Sequence, residues 1–293
     1  MSVSGRLPSV GVVSLTQGRR PEALARGLGS LLVQEGVILD IVCVGNGGDP
    51  GSLPVGVTKL LLEENVGIPA GRNRGADQVS GDYIFFLDDD AWLPSATFLR
   101  DAVRVIENAP DIGLLQPRVS DPDSSTDPGR WVPRIQKGDP RTSGDVFSVW
   151  EGATLLPRSV FDACGGWGEP YFYAHEGIEL AWRVWGQGKR VWYAGDLVAH
   201  HPNADQTRHS QYYRLNARNR VWLAKRNLPW PLVPVYVASW TAIQIARWWS
   251  RPERLRPWFS GFREGWSTDP GGRRPLRWRS VWQMTRAGRP PLI

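Results

Sequence analysis

The chain has 293 residues, 41% of them hydrophobic and 22% charged, with 35 basic side chains against 29 acidic ones. This is ordinary for a globular protein and long enough to bury a substantial core, as one large α/β domain or a domain with an appendage. The two cysteines, Cys43 and Cys164, have no metal-site spacing and read as the reduced thiols of a cytoplasmic protein; Met1 to Pro8 carry no hydrophobic signal core.

Composition is uneven along the chain. Nine of the 16 tryptophans fall between Trp222 and Trp282, and from Arg247 onward there are 11 arginines, no lysine and 3 acids, a local balance of +8 against +6 for the whole. Interleaved Arg and Trp suit a surface of anionic lipid, because Trp prefers the membrane interface and Arg its headgroups. Nucleic acid is the competing partner for such side chains; the membrane surface, and no nucleic acid, is the reading taken.

In chain order, Val10 to Leu15 predicts a first buried strand, followed by a turn from Thr16 to Arg20. Leu24, Leu28, Leu31 and Leu32 then recur at helical spacing behind Pro21 and Glu22. Val37 to Val44 predicts a second strand, broken by Gly45 to Pro50, and Val57 to Leu62 a third; Asn65 to Gly75 leads into a short helix. Tyr83 to Leu87 is a fourth strand. A helix from about Ser95 to Asn108, a strand over Gly113–Val119, an irregular Pro/Asp/Ser/Gly-rich loop over 121–144, strand character over Val146–Leu156 and a short helix over Pro157–Asp162 complete this part. Strands alternating with helices at these spacings predict right-handed βαβ units and a mostly parallel, doubly wound sheet of Rossmann-like α/β class.

The fourth strand stops at Asp88-Asp89-Asp90. Side chains at the carboxyl end of a buried strand project into the crevice where open α/β sheets bind ligands. Strand side chains repeat every two residues, so Asp88 and Asp90 point one way and Asp89 the other. Two carboxylates on one side make a hard oxygen site suited to Mg2+ or Mn2+, and the ion suits a diphosphate. The same residues also read as an acidic turn capping the next helix.

These stretches, taken with Val42-Cys43-Val44-Gly45-Asn46-Gly47, Glu64-Asn65-Val66-Gly67, Arg72-Asn73-Arg74-Gly75, Gly165-Gly166-Trp167 and His175-Glu176-Gly177-Ile178-Glu179-Leu180-Ala181-Trp182-Arg183, resemble the family 2 glycosyltransferases of GT-A fold, most closely their bacterial rhamnosyl- and galactofuranosyltransferase-like branch. The resemblance runs over roughly residues 10 to 201. It implies inverting transfer of a sugar from a nucleotide-diphosphate-sugar to a hydroxyl, with a divalent ion, Mn2+ or Mg2+. Among the positions that match, it implies Asp88, Asp90 and His200 as metal ligands. It places Thr16, Asn46, Asn65, Gly67, Arg72, Asn73, Asp88 and Asp89 around the donor. Gly45 and Gly177 stand where relatives commonly carry Asp.

Acceptor attack needs a general base, and a carboxylate is expected. In a helix beginning near His175, Glu176, Glu179 and Arg183 share one face; Glu179 can pair with Arg183, which leaves Glu176 as the first candidate base and Glu179 as the second. Trp167 and Tyr171 to Tyr173 are candidates for an acceptor platform or for the core.

Residues 1–226 are read as the catalytic domain and 227–293 as a helical, Trp/Arg-rich membrane-associating segment and basic tail. Asn227 to Ala246 are 20 uncharged residues, but Pro229, Pro231 and Pro234 and several polar side chains favour an interfacial helix over a span. The expected setting is peripheral, on the inner face of the plasma membrane, with a glycan or polyprenyl-linked acceptor in cell-envelope polysaccharide synthesis. A nucleotidyltransferase and a non-catalytic glycan- or lipid-binding module are the alternatives.

Overall fold

A computed structural model describes residues 6–124, 128–134, 138–203, 210–287 and 290–291. Its first half alternates strand and helix: β1 (Ser9–Thr16), α1 (Pro21–Leu32), β2 (Ile38–Asn46), β3 (Val57–Leu62), α2 (Ile68–Ala76), β4 (Tyr83–Asp88) and α3 (Phe98–Asn108). β5 (Ile112–Ser120), β6 (Gly144–Asp145), β7 (Ala153–Pro157), α4 (Arg158–Cys164), α5 (Glu176–Gly186) and β8 (Arg190–His200) follow. One sheet results, in the order β3-β2-β1-β4-β7-β5-β8-β6. β1, β2, β3 and β4 pair in parallel, as do β5 and β8, while β7 runs antiparallel between β4 and β5.

Alternation along the central strands divides the core. Ile84 and Phe86 of β4 join Val13, Val42 and Val44 in one cluster, whereas Phe85 and Leu87 join Val10, Val12, Ile41 and Cys43 in a second on the other face. Each such fully buried side chain is worth about 1.5–3 kcal/mol, so β4 is fixed in register and its last residue, Asp88, is delivered to one place. Cys43 and Cys164 are free and buried, and burial pushes both thiols up to about 12.

Two elements differ from expectation. The helix expected from Ser95 begins at Phe98, because Ser95 and Thr97 turn the chain through side-chain bonds, with Thr97 Oγ1 donating to Asp101 Oδ2 at 2.7 Å. The strand expected over Val146–Leu156 forms only as β7. Residues 147–151 leave the ladder, where the Trp150 N–H goes to Gln116 Oε1 at 2.7 Å, and pairing with β4 resumes as the Gly152 carbonyl accepts from the Asp88 N–H at 2.9 Å. In the loop before them, Trp131 is buried.

Four helices follow the sheet: α6 (Ser210–Asn227), α7 (Leu232–Trp248), α8 (Pro252–Ser267) and α9 (Trp278–Arg286). Val233, Tyr236 and Val237 of α7, Leu276 and Met284 share a cluster with Leu180 and Trp182 of α5 and with the sheet, so segment 227–293 packs into the core of 1–226. Gly261 and Gly265 let α8 lie directly on the backbone of α6 at Arg214 and Arg218, and Glu264 pairs with both arginines. Among the described residues no helix is long and apolar enough to cross a membrane. The 17 residues of α7 reach about 25 Å at 1.5 Å each, short of the roughly 30 Å hydrocarbon layer.

Candidate active site

Asp88 and Asp90 point into the same crevice at the carboxyl end of β4, as their spacing predicts. Their oxygens and a ring nitrogen of His201 all lie within 4.8 Å of one another. His201 Nε2 is 3.1 Å from Asp90 Oδ1. Its ring is fixed edge-on by Trp150 and Trp131, at 4.9 and 5.5 Å between centroids. Burial holds the imidazole below its usual range and therefore neutral, the form that ligates metals. Two carboxylates and an imidazole fit Mn2+ or Mg2+.

The histidine differs from the one expected. His200 turns away, sharing a hydrogen bond with Ser120 Oγ at 3.0 Å and packing on Trp92, with its backbone bridged to that residue. It closes β8, and the next side chain falls on the opposite side, which gives the place beside Asp88 and Asp90 to His201.

Asp89 points to the other side, where Thr16 Oγ1 donates to it at 2.6 Å; burial raises its carboxyl. Thr16 also receives the Gly18 N–H, so the turn after β1 is tied to the acids. Arg20 on that turn pairs with both Asp89 and Asp90. Arg72, buried, pairs with Asp88 at 2.6 Å and lies over the Trp167 ring.

The residues from β2 and α2 are in the crevice wall. Asn46 is buried, with both amide hydrogens given to Asn65 Oδ1 and the Gly67 carbonyl and its oxygen accepting from the Val66 N–H. It shapes the 65–67 turn, whereas Asn65 is exposed at the rim. Gly67 has φ of 88° and lies against Phe172, so only glycine fits there. Gly45 is packed against Gly48, Pro50 and Leu61, leaving no room for an Asp side chain. Asn73 clamps the Gly-Gly-Trp turn, accepting from the Trp167 N–H at 2.9 Å and donating to its carbonyl at 3.0 Å. Trp167 and Tyr171 are core residues.

Ahead of α5, Phe172, Ala174 and His175 all have positive φ, at 64°, 68° and 77°. Such strain costs of order 1–3 kcal/mol per residue and persists only where surroundings impose it. Asn219 of α6 imposes it here, donating to the carbonyls of Tyr171, Tyr173 and Ala174 at 3.0, 2.7 and 2.9 Å. His175 is buried and burial keeps it neutral.

Glu176 is 0% exposed, and beside it lies a residue the sequence did not single out, Glu151. Burial raises both carboxyls, Glu176 to about 8, and each also feels the other; Arg72 opposes the shift in both. Glu179 is equally buried but fully engaged: Arg226 Nε at 2.6 Å, Asn227 at 2.8 Å, Tyr171 Oη at 3.0 Å and Arg183 at 3.2 Å. The pairing with Arg183 matches expectation. The second-choice role as base does not survive it, since Glu179 is a strut between α5 and α6 with no path to a substrate.

Segment 150–152 joins these groups. Trp150 packs on His201, Glu151 meets Glu176, and Gly152 lies so close to Asp88 that a Cβ would stand 2.6 Å from its Oδ2. The metal-competent acids and the Glu151–Glu176 pair are thus neighbours, bridged by Arg72.

Solved structures with this fold include GalNAc-T7 with UDP, GalNAc and Mn2+, at TM-score 0.61 and 15% identity over 91% of this chain and 55% of that one. A mannosyltransferase, PcManGT from Pyrobaculum calidifontis, in complex with GDP-Man and Mn2+, aligns at TM-score 0.60 and 16% identity, over 86% of this chain and 74% of that one. S. aureus TarS 1-349 with UDP-GlcNAc aligns at 0.59 and 12%, over 87% and 79%. The architecture is therefore that of the GT-A transferases. Residues 12–165 match Glycosyl transferase family 2, and the chain belongs to that family. The O-antigen biosynthesis protein RfbC of Myxococcus xanthus is 24% identical over 59% of this chain, which spans 15% of that protein's length.

Proposed function

We propose that this glycosyltransferase moves a sugar, with inversion, from a nucleotide-diphosphate-sugar to a hydroxyl of a lipid-linked glycan in cell-envelope polysaccharide synthesis. The observation that carries the reading is the juxtaposition of Asp88, Asp90 and His201 with the Glu151–Glu176 carboxyl pair, joined through Arg72.

Asp88, Asp90 and His201 would hold the divalent ion, which when bound supplies Lewis acidity toward the departing diphosphate. Arg72 orients Asp88, and Thr16 does the same for Asp89 on the far side. The Glu151–Glu176 pair accepts the acceptor proton as the new glycosidic bond forms. Asn65, at the open rim, is the donor contact from the β2–α2 side. A glycan acceptor is in keeping with the O-antigen relative.

Membrane contact is assigned to the C-terminal helices. Trp230, Trp249, Trp278 and Trp282 are each more than half exposed among many arginines, which supports peripheral attachment at headgroup depth on the cytoplasmic side.

The test is to incubate the protein with Mn2+ and a panel of UDP- and GDP-sugars and identify the released nucleotide. Nucleoside diphosphate is expected; pyrophosphate would mark a nucleotidyltransferase, and no product with any sugar would mark a binding module.

A further inference from the structure

Resting on the glycosyl-transfer reading, we propose that the carboxylate which deprotonates the acceptor is that of Glu151, and that Glu176 is its neutral, positioning partner. The first ground is space. A Cβ on Gly177 would stand 2.7 Å from Glu151 Oε2 and 2.9 Å from the Val149 carbonyl. The bare backbone at the second residue of α5 therefore admits the Glu151 carboxylate to the helix N-terminus, where unpaired N–H groups and the helix dipole favour a negative charge.

The second ground is access. Glu176 is 0% exposed, and neither of its oxygens has a donor partner. Glu151 is packed closely about its carboxyl, yet part of the residue reaches the surface. Its two neighbours in sequence touch the opposite wall of the crevice, Trp150 through His201 and Gly152 through Asp88. Of the two glutamates only Glu151 is partly exposed.

The third ground is the division of charge. Two carboxylates in one dry site cannot both ionise, and a single proton between them forms a hydrogen bond. Glu176 is wholly buried while Glu151 is partly exposed, so the proton belongs to Glu176 as donor and the charge to Glu151 as acceptor. The charged groups facing the pair are Arg72 of α2, which favours ionisation of both, and Asp88 of β4, which opposes that of Glu151.

In the step itself the acceptor O–H proton passes to a Glu151 oxygen. The acceptor oxygen bonds to the anomeric carbon, and the electron pair of the breaking C–O bond leaves with the nucleoside diphosphate. Glu176 keeps its own proton and holds the Glu151 carboxylate in place.

The experiment compares wild type, Glu151→Gln and Glu176→Gln. It measures nucleoside diphosphate release from UDP- and GDP-sugars with Mn2+ across pH 5–9, alongside binding of UDP and GDP with Mn2+. Glu151→Gln is expected to keep nucleotide binding and lose release by about 10²-fold or more. Wild-type release should fall as pH rises through about 8, when Glu176 ionises, and Glu176→Gln should abolish that alkaline limb while losing far less than Glu151→Gln. Release by Glu151→Gln at the wild-type rate, an equal loss in Glu176→Gln, or an alkaline limb that persists in Glu176→Gln each overturns the assignment. A wild type that neither binds the nucleotides nor releases them contradicts the transfer reading itself.

Discussion

Glu176 and Glu179 sit one turn apart on α5, both 0% exposed, and their partners give them opposite characters. Glu179 is met by two arginines, an amide and a phenol, so its role is structural. Removing one partner of a buried ion pair costs about 3–5 kcal/mol because the other charge is stranded. Glu179→Gln should therefore lower unfolding free energy in urea by about that amount. Glu176 has Glu151 instead of a cation, and its raised value reverses the sign. Between the usual glutamate value of 4.5 and about 8, the folded protein holds a proton that the unfolded chain has released, so stability falls as pH rises through that window. Glu176→Gln removes this dependence, and its melting temperature should gain on wild type as pH is raised from 5 to 8; a constant difference would refute the buried proton. Sequence spacing put Asp88 and Asp90 side by side, as they are found. It could not choose between His200 and His201, because that choice depends on the residue at which β8 ends. Glu151 carried no signal at all, since it reaches the site from an irregular segment.

At the scale of elements, α5 is aimed by its approach. The chain from Phe172 to His175 is held in a left-handed path by Asn219, buried on α6. Asn219→Ala takes this donor from the Tyr173 and Ala174 carbonyls, that of Tyr171 being still held by Arg218, at about 1–3 kcal/mol for a buried unsatisfied group, and frees the segment to relax. Stability should fall by that order, and nucleoside diphosphate release should fall further than stability alone explains; an unchanged rate in the folded variant would separate α5 from the chemistry. β1 to β4 were legible because apolar runs of strand length alternate with a helical leucine pattern. The break between Val146 and Gly152 was not, because Phe147 and Val149 read as strand while the Trp150 N–H is taken by the Gln116 side chain and not by a neighbouring strand.

For the whole molecule, the sheet brings acids from the end of β4 beside one carboxyl from the segment before β7 and one from the start of α5, and the last four helices pack against this body. The boundary drawn at 226 falls one residue before the end of α6, and the core crosses it at Val233, Tyr236 and Met284. A chain ending at 226 should thus fail to fold cooperatively, seen as loss of a single thermal transition. Composition alone separated the Trp/Arg-rich end; it could not show that much of that aromatic surface is spent on the catalytic body. The account as a whole turns on Asp90. Mn2+-dependent release of UDP or GDP from its sugar should be lost at least 100-fold in Asp90→Ala, with the fold intact by circular dichroism. Release by Asp90→Ala at the wild-type rate and with the same Mn2+ dependence would contradict it.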